Sequence, residues 1–124
     1  MMILVDEVQF EIHLGELYAG LILGKNEHQS HHLILLPGEA RRVNWETAHQ
    51  WAQDSGGDLP SRRELALLFA NRRECFQDRW YWSSEKHPAN SLYAWNQFFG
   101  TGTQYDDHVS NQMLARAVRR VLVE

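Results

Sequence analysis

Hydrophobic and polar residues alternate near both ends of this chain and recur at helical spacing in its middle, an order that predicts an α+β domain. From Val8 to Leu14, apolar Val8, Phe10, Ile12 and Leu14 alternate with Gln9, Glu11 and His13, the period of a half-buried strand. Two apolar runs follow, LYAGLILG (17–24) and HHLILLPG (31–38), separated by the polar KNEHQS. That spacing predicts a hairpin, and Pro37 with Gly38 stops its second strand because proline has no N–H for the ladder. In VNWETAHQWAQDSGG, Asn44 has the acceptor side chain of a helix N-cap. Trp45, Ala48, Trp51 and Ala52 then share one helical face, and Gly56 and Gly57 supply the stop. SRRELALLFANRRE begins a second helix with Ser61 and Glu64 at capping-box spacing and buries Leu65, Leu68 and Phe69.

The last third changes character. RWYWSSE, YAWNQFF and LARAVRRVLV are strand-like and are separated by the turn-rich KHPANS and GTGTQYDDHVSNQ. The polar segment from Thr101 to Gln112 reads as the longest loop, the kind of segment in which binding usually resides. A closing strand paired with the N-terminal one is compatible with this order. Alternation sends Trp80 and Trp82 to one face and Tyr81 to the other, and sets Tyr93, Trp95, Gln97 and Phe99 against Leu92, Ala94, Asn96 and Phe98. One set per strand is expected in the core. The other is expected to face solvent or a ligand, where rigid aromatic side chains give contact area at little entropic cost.

Size narrows this to one domain over residues 1–124. The 16 acidic and 12 basic residues give a formal charge of −4, and the basic ones gather only as the pairs Arg41–Arg42, Arg62–Arg63, Arg72–Arg73 and Arg119–Arg120. A phosphate-neutralising face is therefore absent from the pattern, and no nucleic-acid partner is expected. No apolar run approaches the roughly 18 residues of a membrane span, and the N-terminus lacks the pattern of a secretory signal. The expectation is a protein made in the cytoplasm with no membrane partner, any virion association coming later by assembly.

No catalytic set is complete. Cys75 is the sole cysteine, so a disulfide framework and a multi-thiolate metal site are excluded. As a nucleophile it would need His87 or His108 as base; as a small apolar side chain beside Phe76 it needs nothing. Ser83 and Ser84 lack a Gly-x-Ser-x-Gly elbow, and nothing pairs Glu85 with Asp106 or Asp107 as acid and base. His28, His31 and His32 crowd one stretch without a completing ligand and read as a solvated hairpin tip. Asp106, Asp107 and His108 offer calcium some oxygens but not the regular offsets of a site. No enzyme activity, cofactor or metal is expected.

The order of NWETAHQWAQDSGGDLPSRRELALLF, YWSSE, YAWNQFFGTG and ARAVRRV resembles the Lcl C-terminal domain family, a domain of unknown function, over roughly residues 17–122. The matching features are Trp45 with Ala48, Leu59 to Leu65, Tyr81 to Ser84, Ala94 with Trp95, and Arg116 to Arg119. The resemblance implies a C-type-lectin-like fold, with two helices packed on antiparallel sheets and a long C-terminal loop region. It further implies a non-enzymatic module, phage or prophage encoded, that binds a protein or glycan ligand. The residues implied as ligand-binding are Tyr93, Trp95, Asn96, Gln97, Phe99, Thr101, Thr103, Gln104, Tyr105, Asp107 and His108. A small accessory protein or inhibitor acting on a host protein is the alternative.

Overall fold

The structure, a computed structural model, describes residues 10–123. β1 (Leu17–Ile22) and β2 (His31–Leu35) make the expected hairpin, with Leu17 opposite Leu35 and Ile22 opposite His31. Gly20 sits at a bulge with φ of 129°, and a Cβ there would meet Asn71 Nδ2 at 3.0 Å, so both backbone and neighbour require glycine. Only His28 of the three clustered histidines lies between the strands. His31 and His32 belong to β2, where His31 Nε2 lies 2.6 Å from Glu64 Oε2 and His32 Nδ1 2.9 Å from the Tyr18 hydroxyl. The solvated tip expected of them is thus replaced by partly buried and buried side chains.

A short strand the periodicity does not signal, β3 (Ala40–Val43), precedes α1 (Trp45–Asp54). Asn44 caps α1 by accepting from Thr47 N at 2.9 Å, and Trp45, Ala48 and Ala52 form its buried stripe. α2 (Arg62–Arg72) opens on a complete capping box: Ser61 Oγ accepts from Glu64 N at 3.2 Å, and Glu64 Oε1 accepts from Ser61 N at 2.8 Å. A 3₁₀ turn at Arg73–Cys75 leads to β4 (Trp80–His87) and β5 (Asn90–Phe98), joined by a tight turn. Then come β6 (Thr103–His108), β7 (Met113–Ala115) and β8 (Val118–Leu122).

These strands form a three-stranded sheet, β1-β2-β8, and a five-stranded sheet, β3-β7-β4-β5-β6. The pairings are antiparallel except β4 with β7, which is parallel, so the smaller sheet is antiparallel and the larger one is mixed. Residues 8 and 9 of the expected first strand lie outside the described part, and residues 10–14 form no strand. The closing strand expected to pair with this segment, β8, pairs with β2. Phe10 packs on Tyr18 and His32, with ring centroids 5.3 and 4.8 Å away. The apolar run 114–123 likewise splits, β7 going to one sheet and β8 to the other.

Two hydrophobic cores flank the five-stranded sheet. One joins Leu33, Leu35 and Val118 of the smaller sheet to Leu65 and Leu68 of α2 and to Tyr81 and Phe99. The second joins Trp45, Ala48 and Ala52 of α1 to Trp82, Ala94 and Ala115. Because a helix covers each face of β4, Tyr81 and Trp82 are both fully buried, on opposite faces. The expectation that one aromatic set of this strand meets solvent fails for that reason. Among the described residues no helix is long and apolar enough to cross a membrane.

Candidate functional site

Half of the expected loop 101–112 is a strand, β6. β6 pairs with β5 along its length, from Tyr93 opposite His108 to Phe98 opposite Thr103, and forms the edge of the larger sheet. A ladder needs backbone groups, not apolar side chains, and polar residues such as Asp106 and Asp107 suit an edge that must not pair with another chain. The turn between the strands depends on Gly102, with φ of 81° and the Phe69 ring 3.0 Å from where a Cβ would stand. Thr101 and Thr103 sit exposed there, their hydroxyls 2.7 Å apart.

Register divides this ribbon between two faces. Tyr93, Trp95, Gln97, Gln104, Asp106 and His108 share the face toward α2; Ala94, Asn96, Phe98, Thr103, Tyr105 and Asp107 share the other. On the first face, Gln97 Nε2 donates to Leu65 O at 2.8 Å, and Gln104 Nε2 donates to Arg62 O at 2.8 Å and to Gln97 Oε1 at 3.0 Å. Arg62 Nε in turn donates to Gln104 Oε1 at 2.9 Å, which holds its guanidinium 3.7 Å above the Trp95 ring. His87 stacks on Trp95 at 5.7 Å with its Nε2 3.8 Å from Asp106 Oδ2, and His108 meets Tyr93 edge-on at 5.6 Å. Beside this array lies a hollow of about 940 Å³, lined by Arg62, Arg63, Glu85 and Gln104, with His28 across it.

On the opposite face Asn96 Nδ2 donates to Asp107 Oδ2 at 2.7 Å. Trp80, at the rim rather than in the core, meets Phe98 at 5.1 Å and Tyr105 at 5.4 Å.

Of the eleven residues expected to touch ligand, Asn96, Gln97 and Phe99 are 0% exposed and serve as internal supports. A strand between two others under a helix buries both its faces. Tyr93 (36% exposed) and Tyr105 (55%) face outward with Thr101 and Thr103. Trp95, Gln104, Asp107 and His108 are half-buried. The eight therefore form two surfaces, not one. Arg62, Glu85 and His87 complete the α2-side surface; no local signal could have assigned them, since Arg62 meets Gln104 across 42 residues of sequence.

A buried ionic cluster fixes the start of α2, and with it Arg62. Arg120 donates to both oxygens of Glu64 at 2.7 Å, joined by His31 at 2.6 Å and the Ser61 N–H at 2.8 Å. Burial pushes the Glu64 carboxyl up, but Arg120 and the other donors prevail and hold it below the usual glutamate range. Cys75 packs half-buried against the α2-side core, and among the described residues no three His, Cys, Asp or Glu side chains come together to hold a metal. What the arrangement offers chemically is a pre-organised set of planar donors and acceptors around an aromatic ring. No family model matches this chain, and no curated protein is similar to it in sequence.

Proposed function

We propose that this protein is a non-enzymatic binding module with a C-type-lectin-like arrangement, and that it recognises a protein or glycan ligand through the α2-side face of the β5–β6 ribbon. The observation that carries this reading is the lock of Arg62 between Trp95 and Gln104 beside an open hollow edged by Arg63 and Glu85. Buried Gln97 braces it from within, so the outward groups are ordered before any ligand arrives. Such ordering lowers the entropic cost of binding. Two helices packed with one antiparallel and one mixed sheet are compatible with the lectin-like fold, and the sequence resemblance supports a phage or prophage origin.

Exposed positions test it. Tyr93→Ala with Glu85→Ala and Arg63→Ala should leave the protein folded at room temperature: each exposed side chain costs about 0.5 kcal/mol, and Glu85 about 1 kcal/mol more because its carboxylate accepts from Arg62 N at 2.6 Å. Binding on a host glycan array and capture of host proteins should fall about tenfold or more. Undiminished binding by the folded triple variant removes this face as the site.

A further inference from the structure

A second groove, at the corner where β3, β7 and the start of β4 meet, gathers cationic and apolar side chains that the α2-side surface does not use. β3 pairs with β7 only at Ala40–Ala115 and Val43–Met113, with a bulge between. The bulge carries Arg41 and Arg42, both exposed, and Arg42 has φ of 53°, a left-handed backbone uncommon for any residue but glycine. Arg79 comes from the other side. Its N–H donates to Gln77 O at 2.7 Å and its carbonyl accepts from Phe99 N at 3.0 Å, so its backbone is fixed while its side chain stays exposed. Among the described residues neither Arg42 nor Arg79 has a side-chain hydrogen bond or ion pair.

These arginines line a hollow of about 260 Å³. It shares Arg79, Gln112, Met113 and Leu114 with a neighbouring hollow of about 460 Å³, walled by Trp80, Phe98 and Met113 with Asn111 at its side. Together they are the size of a ligand site. The local charge is positive although the chain's formal charge is −4. Glu39 faces inward, accepting from the Tyr81 hydroxyl at 2.8 Å, Gln77 Nε2 at 2.7 Å and Arg41 Nε at 3.3 Å. Half-buried Arg116, which donates to the carbonyls of Cys75 and Leu36, offsets it, which leaves Asp78 as the acid at the groove's lip.

We propose that this groove binds an acidic peptide segment of a partner protein, its carboxylates on Arg42 and Arg79 and one apolar side chain against Trp80, Phe98 and Met113. Guanidinium forks match carboxylates in bidentate geometry, and the amides of Asn111 and Gln112 suit a peptide backbone. A nucleotide fits less well. Base recognition needs an open aromatic face, and Trp80 already packs at an angle against Phe98 (41°) and edge-on to Tyr105 (64°). This site does not depend on the α2-side reading, because it shares no lining residue with the hollow there.

Calorimetric titration of the full chain tests it, using a short acetylated peptide of glutamates and aspartates around one phenylalanine. The same peptide with amides for acids, the same with alanine for phenylalanine, and a nucleoside monophosphate serve as comparisons. The acidic aromatic peptide should bind, more weakly as salt rises, and each altered peptide should bind about tenfold or more weakly. Arg42→Glu with Arg79→Glu should abolish binding. Arg42→Gly gives a second, safer variant: it removes the charge while suiting the left-handed backbone, so its melting temperature should hold or rise while binding falls. No binding of the acidic peptide, equal binding of the amide peptide, binding that survives Arg42→Gly and the double variant, or preference for the nucleotide would each overturn the proposal.

Discussion

Glu64→Ala is expected to lower the free energy of unfolding by about 3–5 kcal/mol, read from urea denaturation at neutral pH, because it breaks a buried ion pair from one side. Glu64 is wholly buried, and both its oxygens are in use. Without it Arg120 keeps Asp58 at 3.2 Å and the Leu59 carbonyl at 3.3 Å, and its side chain is 32% exposed. That residual solvation places the loss near the lower end of the range. Glu64→Gln should cost less, since an amide oxygen can still accept from Ser61 N, but it gives up the charge on which Arg120 depends. The pH dependence has a definite sign. A carboxyl held below its ordinary value in the fold stabilises the native state fully above the unfolded-state pKa of about 4.3, and that contribution disappears as pH falls through the lower folded value. Wild type should therefore lose stability progressively below about pH 4.3, and Glu64→Gln should show a flatter acid limb. A Gln variant with an unchanged acid limb would mean that other carboxylates set acid stability.

Glu64 also shows how far local pattern reaches. Its capping-box role is legible because Ser61 stands three residues away, and the cap forms as the spacing predicts. Its pairing with Arg120 and His31 is not legible, because those partners lie 56 and 33 residues off and only the packing of β2 and β8 beneath α2 brings them in. Asn44 repeats the lesson: the cap is local, whereas the Trp45 indole donating to Ser83 O at 2.8 Å across 38 residues is not.

Strand existence proved harder to read than helix existence where side-chain polarity and backbone pairing part company. Residues 10–14 alternate as a strand should but pair with no strand among the described residues, whereas Thr103–His108 lacks apolar alternation and pairs along the whole of its length. Missing β6 also hid the split of the ribbon. Period-two parity was available for Tyr93 to Phe99, but only register with β6 shows that Tyr93 and His108 share a face while Tyr105 joins Trp80 on the other. Of the aromatics expected on one surface, Tyr93 and Tyr105 face outward but on opposite faces of the ribbon, Trp95 is half-buried and Phe99 is buried. The polar centre of that surface, Asn96 and Gln97, proved internal. Amides in a strand covered on both faces become braces, because a buried polar group must find partners, as Gln97 does at Leu65 O and Gln104.

Phe99→Ala is expected to destabilise the fold by about 3–5 kcal/mol and to leave ligand affinity unchanged in whatever fraction remains folded. Phe99 ends the aromatic stretch that seemed suited to contact, yet it is 0% exposed and lies parallel to Phe76 at a centroid distance of 4.0 Å. Tyr81 meets it edge-on at 5.1 Å, and Phe69 lies 6.1 Å away. Its N–H donates to Arg79 O at 3.0 Å, so the ring is anchored by a backbone that cannot follow it into the space alanine would leave. The cost therefore includes a cavity as well as lost transfer energy and the aromatic pairings, worth about 0.5–1.5 kcal/mol each. Phe99→Leu, which refills much of the volume, should recover part of that stability. Tyr105→Ala, at an exposed position, should by contrast change stability by no more than about 0.5 kcal/mol. Chemical denaturation of the three variants separates a support from a contact: were Phe99→Ala to unfold like wild type and bind its ligand more weakly, the ring would belong to the binding surface and the buried stack would not be the state that binds.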